Sequence, residues 1–299
     1  MSKVTARRQL QGLAFASPWL IGFTLFIGGP IAASAFYSFT DFNLFQSPDF
    51  VGLDNFRAML DDERFTRSLL NTLYLTVVGV PLGLGLALLV ALALNADVRG
   101  RALYRAVVYL PTIIPIVVAT YLWRWLLNAQ YGYVNRIIGV FGVDGPTWLE
   151  DPAWTKPAVV LMGLWTVGGT AVIYLAALQD VPAERYEAAA LDGAGAWARF
   201  RYVTWPALTP VTLFQLVVGV IAGMQIFAQP YLLTQSRLNQ AAGGPDDSLL
   251  TYGTYVFQNA FVHLKMGYAS ALGWVLFLVT MAITAVLLLS SRRWVHYGS

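Results

Sequence analysis

The sequence predicts an all-α, polytopic membrane protein with six transmembrane helices, and three observations carry that prediction. Hydrophobic residues fill 57% of the 299 positions and charged residues only 12%, about half the roughly 25% of an ordinary globular domain. The apolar excess falls into six runs of the length that a helix rising about 1.5 Å per residue needs to cross about 30 Å of hydrocarbon. Those runs are apolar on every face rather than striped, as helices surrounded by lipid and by one another should be. The same composition excludes a disordered chain. With no cysteine, disulfides and thiolate metal sites are excluded as well. His263 and His296 are the only histidines, so a multi-histidine metal centre is not expected.

The runs cover about 13–39, 69–94, 103–127, 157–178, 208–229 and 268–290, all within a single transmembrane domain of 1–299. None holds an Asp or Glu; in the third, Arg105 stands at the start and is counted with the inner loop, and Arg124 stands near the end. Lys3, Arg7 and Arg8 precede the first run, and Ala33-Ser34-Ala35 resembles a signal-peptide cleavage site. The apolar part of a signal peptide is only about 7–15 residues long, so the first run reads as a retained span. In the third, Pro111 and Pro115 predict a kinked helix, tolerated where neighbours satisfy the freed carbonyls.

Orientation follows from the distribution of Lys and Arg. With the N-terminal tail in the cytoplasm, alternate loops collect 11 basic residues inside against 7 outside, and 5 acidic residues inside against 11 outside. Both termini are therefore expected in the cytoplasm. Arg124 admits two readings: contact with an anionic solute, or snorkelling to the outer interface between Trp123 and Trp125. The outer loops carry acidic and aromatic residues such as Asp61, Asp62, Glu63 and Trp148, and the last contains Gly243-Gly244-Pro245.

Several chemistries are missing. No run contains the buried carboxylate or histidine of a proton-driven carrier. There is no H-E-x-x-H, and the three lysines follow Ser2, Thr155 and Leu264, so no Gly-Lys phosphate loop exists. Uphill transport would need energy from another polypeptide. An ion-coupled carrier and a membrane enzyme stand as rival classes, each lacking the side chains it would need.

The loop 180–207 is too structured for a connector. Asp180 before Pro182 predicts a helix start, with Glu184 in the first turn, and Glu187 to Leu191 are mostly strong helix formers. Gly193 and Gly195 stop that helix. Trp197, Phe200 and Tyr202 then have the spacing of a second short helix with an inward aromatic face, ended by Pro206 and Pro210. In the fourth run, Trp165, Thr166, Gly168, Gly169 and Thr170 form a polar, small-residue cluster; in the fifth, Gln225 and Gln229 are four apart and would share a helix face. Such groups suit a neutral hydroxylated cargo, although Gln and Gly/Thr also serve helix packing.

At this loop the chain resembles a known family. Glu187-Ala188-Ala189, Gly193, Val203 and Pro206, with Asp192-Gly193-Ala194 and Phe200, match the EAA loop of permease subunits in binding-protein-dependent ABC importers. Phe39-Thr40-Asp41, the stretch Val51-Gly52-Leu53-Asp54-Asn55-Phe56, Asn71-Thr72, Arg99-Gly100, Leu110-Pro111, Trp123-Arg124-Trp125 and Tyr268-Ala269-Ser270-Ala271 resemble its sugar and glycerol-3-phosphate branch. Trp205, where that family usually has Leu, and the long stretch 235–242 depart from the pattern. The resemblance implies a cytoplasmic coupling helix pair docked on an ATP-binding subunit, with Glu187 as charged docking residue, Ala188 and Ala189 as the close-packing face, Asp192 beside the turn at Gly193, and Pro206 closing the motif. It also implies a substrate path at Trp165, Thr166, Gly169, Thr170, Gln225 and Gln229. The cargo would be a sugar, oligosaccharide or polyol phosphate. The implied partners are a second homologous permease, two ATP-binding subunits that hold the ATP and Mg, an extracytoplasmic substrate-binding protein and the inner-membrane bilayer. No nucleic acid and no cofactor on this chain are expected.

Overall fold

The computed structural model describes residues 3–97, 99–235 and 243–296, with residues 3–10 as backbone only. The departure at 235–242 therefore lies, apart from Gln235, outside the described residues. The chain divides into two compact units, Met1–Asp61 with Val256–Val275 and Asp62–Tyr255 with Leu276–Ser299.

The first unit opens with α1 (Lys3–Phe23), a π-helical turn (Thr24–Gly28) and α2 (Gly29–Tyr37), of which Gln11–Tyr37 is long and apolar enough to cross a membrane. A two-residue antiparallel ladder follows, β1 (Thr40–Asp41) on β2 (Asp49–Phe50), and then α3 (Asp54–Leu60). The two motifs singled out around 39–41 and 51–56 meet here. Asn55 Nδ2 donates to the carbonyls of Ser38 at 3.0 Å and Thr40 at 2.9 Å, and Phe39 packs on Phe56 with ring centroids 5.6 Å apart. One amide thus satisfies two turn carbonyls that helix and ladder leave over.

The second unit is built around α4 (Glu63–Asn95), whose 33 residues span about 50 Å at 1.5 Å per residue. Asp62 caps it by accepting from the N–H groups of Arg64 at 2.9 Å and Phe65 at 3.2 Å, which are otherwise unpaired donors of a helix start. The next helices are α5 (Arg101–Ile113), α6 (Ile116–Leu126), α7 (Tyr133–Val140), α8 (Pro152–Trp165) and α9 (Gly168–Gln179). Then come α10 (Ala183–Leu191), α11 (Ala196–Arg199), a π-helical turn (Phe200–Thr204), α12 (Trp205–Met224) and α13 (Ala228–Thr234). Two more, α14 (Tyr252–Phe257) and α15 (Met266–Ser291), begin in one unit and end in the other.

Two apolar clusters hold this unit. Ala87, Ala91 and Leu94 of α4 pack on Ala171, Tyr174, Leu175 and Leu178 of α9 and Leu208 of α12; the alanines let the backbones approach, as membrane helices do without a hydrophobic drive between them. The second joins Leu75, Leu127, Ala158, Val159, Met162, Leu233 and Leu249. Gly168 sits so close to α5 that a Cβ there would lie 2.1 Å from the Val108 carbonyl oxygen. This glycine is a contact point for the α5–α9 crossing rather than part of a solute path.

Among the described residues four helices are long and apolar enough to span a membrane, or up to six if each bent pair is one span. The pair α5–α6 is bent by 99° and α8–α9 by 47°. The kink expected at Pro111 and Pro115 is thus a full elbow. Pro115 stands before α6, has no N–H to extend the α5 ladder, and disfavours a helical Ile114, which is extended at ψ 127°.

Candidate functional site

Three interrupted helices meet at one place. The α5–α6 elbow lies at 114–115, the α8–α9 bend at 166–167, and the ladder of α12 ends at Met224, resuming at Ala228. A cavity of about 400 Å³ is lined from all three breaks: by Pro111, Thr112 and Ile114, by Trp165, Thr166, Gly169 and Thr170, and by Gln229. A second cavity of about 390 Å³ shares Thr166, Thr170 and Gln229 with it and adds Gln215. Irregular backbone at membrane depth is tolerated where protein buries it or where it lines a cavity. Thr112, Thr166, Thr170 and Gln229 give the walls neutral side-chain donors and acceptors. Trp123 and Trp165 meet edge to face at 5.9 Å, and both indoles line the first cavity.

Five of the six residues expected on the path, Trp165, Thr166, Gly169, Thr170 and Gln229, are therefore brought together. Gln225 is not. The expectation that Gln225 and Gln229 share a helix face fails because α12 closes with short-range bonds, Gln225 N to Ala222 O at 3.2 Å and Ile226 N to Gly223 O at 3.2 Å. The Ile226 carbonyl is then taken by Thr251 Oγ1 at 3.1 Å instead of a continuing helix. Phe227 leaves the helical region at φ −139°, and Gln225 is left exposed.

Two wall residues were missed. Gln215 Nε2 and Trp123 Nε1 are buried N–H donors with no hydrogen-bond partner among the described residues, which calls for an explanation in a folded protein. Gln215 carried the signal of an amide inside an apolar run. Trp123 had been grouped with an interfacial belt, whereas only Trp125 of that triplet is well exposed; Trp123 faces the cavity and Arg124 is half-buried.

At the N-terminal end of α12 stands the helical hairpin. Asp180 ends α9 rather than starting α10, which has Pro182 before its first residue and no side-chain cap. The turn is a glycine-closed helix end. Gly193 lies at φ +76°, its N–H bonds Ala190 O at 3.0 Å, and the Ala194 N–H bonds Ala189 O at 2.9 Å; glycine adopts that left-handed conformation without a Cβ penalty. Tyr186 and Thr204 hydroxyls join the two arms at 3.0 Å.

The expected inward aromatic face is corrected. Trp197 is 74% and Tyr202 75% exposed, and Leu191 is 89% exposed; α11 lasts only four residues, and the π-helical turn that follows takes Tyr202 off its phase. Glu187 is exposed too. Behind the hairpin a cavity of about 630 Å³ gathers Ala188, Ala189, Asp192 and Pro206 with Arg185 and His296. Glu187 and Gly193 lie outside its lining.

At the opposite end of α12 a polar clasp binds the segment after Gly243 to the starts of α4 and α8. Arg64 grips Asp247 through two bonds, of 2.9 and 3.2 Å, and Arg67 donates to Asp246 O at 2.8 Å. Asn71 Nδ2 donates to the carbonyls of Asp247 at 2.8 Å and Leu250 at 3.0 Å, while its Oδ1 accepts from Lys156 at 3.1 Å. Thr155 reaches Ser248 at 2.9 Å, Thr72 Oγ1 accepts from the Tyr252 N–H at 2.8 Å, and the Tyr255 hydroxyl bonds Asp62. These bonds hold Asp246 and Asp247 at φ +50° and +52°, a region costly for residues with a Cβ. Burial, with Tyr255 second, pushes the Tyr252 phenol above its ordinary pKa.

Among the described residues no group of three or more His, Cys, Asp or Glu could hold a metal ion. Residues 79–297 match the family described as binding-protein-dependent transport system inner membrane component. The chain belongs to that family. This permease is 39% identical, over 100% of its length and 96% of the relative's, to the probable ABC transporter permease protein YesP of Bacillus subtilis. It is 34% identical to the sulfoquinovosyl glycerol transport system permease protein SmoG of Agrobacterium fabrum, over 94% and 90% of the two chains. Among solved structures it resembles a chain of a bacterial alginate ABC transporter in complex with an alginate pentasaccharide-bound periplasmic protein, with a TM-score of 0.83, 25% identity and 98% of both chains covered. It is a multi-pass permease subunit of an ABC importer, not an ion-coupled carrier.

Proposed function

We propose that this permease carries a sugar or oligosaccharide across the cell inner membrane in six crossings, each bent pair counting as one, with both ends of the chain in the cytoplasm. Trp165, Thr166, Gly169, Thr170 and Gln229 line the path, with Gln215 and Trp123 beside them. The observation that carries this reading is the convergence of three broken helices on one cavity walled by hydroxyls, amides and indoles. Saccharide hydroxyls are neutral donors and acceptors with apolar ring faces, and such walls match them better than a phosphate ester. SmoG and the alginate transporter, one named for a glycoside and the other for a polysaccharide, support the same class.

The hairpin 180–207 acts as the cytoplasmic coupling helix pair. Its exposed Leu191, Trp197 and Tyr202 suit burial on an ATP-binding subunit, Glu187 offers a charge for docking, and the small Ala188 and Ala189 let the backbone lie close. Asp192, Gly193 and Pro206 fix the turn and the exit into α12. Two such subunits bind ATP and Mg, a sister permease completes the path, and a soluble binding protein delivers cargo at the clasp end. Copurification tests the assembly: this chain should bring down an ATPase, a second permease and a binding protein retaining a saccharide. Cargo accumulation in vesicles that hold the permease without any ATPase would overturn the reading.

A further inference from the structure

We infer that α7, with the turn that follows it, is an interfacial anchor whose exposed stripe lies in the headgroup layer of the bilayer, between the third and fourth crossings. Tyr133, Ile137, Val140 and Phe141 recur at the spacing of a single helical face. All four are exposed, Val140 at 82% and Phe141 at 78%. The opposite face is fastened. Val134 packs on the cluster around Leu127 and Leu249, and Asn135 accepts from Trp148 Nε1 at 2.7 Å while donating to Pro146 O at 3.1 Å. The helix therefore cannot roll its apolar stripe inward.

Its depth is set by what it is fastened to. The exposed face of α6 runs through Val117 and Tyr121 to Trp125, one residue from its end, and α8 begins with a partly exposed Trp154 in its first turn. Indoles at the ends of spans mark headgroup depth, and α7 is held to the segment that joins these two. Its stripe thus continues a lipid-facing surface at the level where that surface meets water. Tyr133 supplies an amphipathic ring for that layer, and Arg136, exposed beside the stripe, supplies a cation for lipid phosphate.

The inference rests on the six-crossing arrangement proposed above, and the test keeps the two apart. The chain has no cysteine, so single cysteines at Val140, Phe141 and Asp144 can carry a nitroxide in the assembled importer, reconstituted in nanodiscs of phosphatidylethanolamine and phosphatidylglycerol. The labels at 140 and 141 should collide with oxygen at least about three times more often, relative to a water-soluble nickel chelate, than the label at 144. Equal chelate access at all three positions would overturn the anchor, as would exclusion of both reagents from 140 and 141, which would mean a protein partner covers the stripe. Whether Asp144→Cys reacts with an impermeant maleimide from outside intact cells tests the crossing arrangement independently of depth.

Discussion

The two ends of α12 are built on opposite plans. At the clasp, nearly every polar side chain is used: Arg64, Asn71, Lys156 and Thr155 bond groups far away in sequence, and two residues with a Cβ are held at positive φ. At the hairpin, one hydroxyl pair joins the arms while Leu191, Trp197 and Tyr202 face outward. On the coupling role proposed for the hairpin, the difference separates a frame from a handle. Polar groups satisfied internally fix geometry and leave little for a partner, whereas unspent apolar area can still be buried by one.

The largest effect should come from breaking the handle. Gly193→Pro cannot adopt φ +76° and loses the N–H bonded to Ala190, an incompatibility of about 3 kcal/mol, so cargo-stimulated ATP hydrolysis by the assembled importer should fall about 100-fold. Glu187→Lys should lose the same stimulation. In both variants protease mapping should find the crossings inserted as in the parent. Normal coupling in both would remove the docking assignment.

Next comes the frame. Asn71→Leu strands the carbonyls of Asp247 and Leu250 and the Lys156 ammonium, and should lower stability by about 2 kcal/mol, read as an earlier thermal unfolding in detergent. Leu191→Ala, on the handle, should leave unfolding within about 0.5 kcal/mol yet weaken coupling. If the two variants exchanged signatures, the division of labour would be wrong.

The cavity between the two ends sharpens the comparison. Gln229→Ala removes an amide positioned to hydrogen-bond cargo, worth about 1.4 kcal/mol, so transport at limiting cargo should drop about tenfold. Gln225→Ala should stay within about twofold, because Gln225 is outside the cavity. The smallest effect belongs to the Arg64–Asp247 pair, partly exposed at 35% and 22% and worth about 1 kcal/mol. Arg64→Met should destabilise by about that much, and adding Asp247→Asn should cost little more, because the two changes remove one and the same pair.

Much of this was legible in the sequence. Apolar runs located the four helices long enough to span a membrane and the two bent pairs, because the bilayer imposes one length on a span, and the Gly193 turn was legible because few residues accept its backbone. The helix breaks were only partly legible. Pro115 announced the first, but the break after Met224 depends on Thr251 capturing the Ile226 carbonyl from 25 positions away, and no local pattern around Gln225 reports that. The clasp was hidden for the same reason: Arg64 and Asp247 read as ordinary loop charges until the fold brings them together. The outward placing of Tyr202 is not legible because a π-helical turn shifts the phase that a regular period assumes, and no local pattern reports the exposure of Trp197.

The most direct measurement uses the absence of native thiols. Leu191→Cys places one sulfur at the tip of the hairpin, and a short bifunctional maleimide should join it to a cysteine in the surface cleft of the copurified ATP-binding subunit, with a yield that changes when ATP is added. The same residue should react with an impermeant maleimide only in inside-out vesicles. Labelling of Leu191→Cys from outside intact cells, with no cross-link to the ATPase, would contradict the assignment of this hairpin as the point where the motor grips.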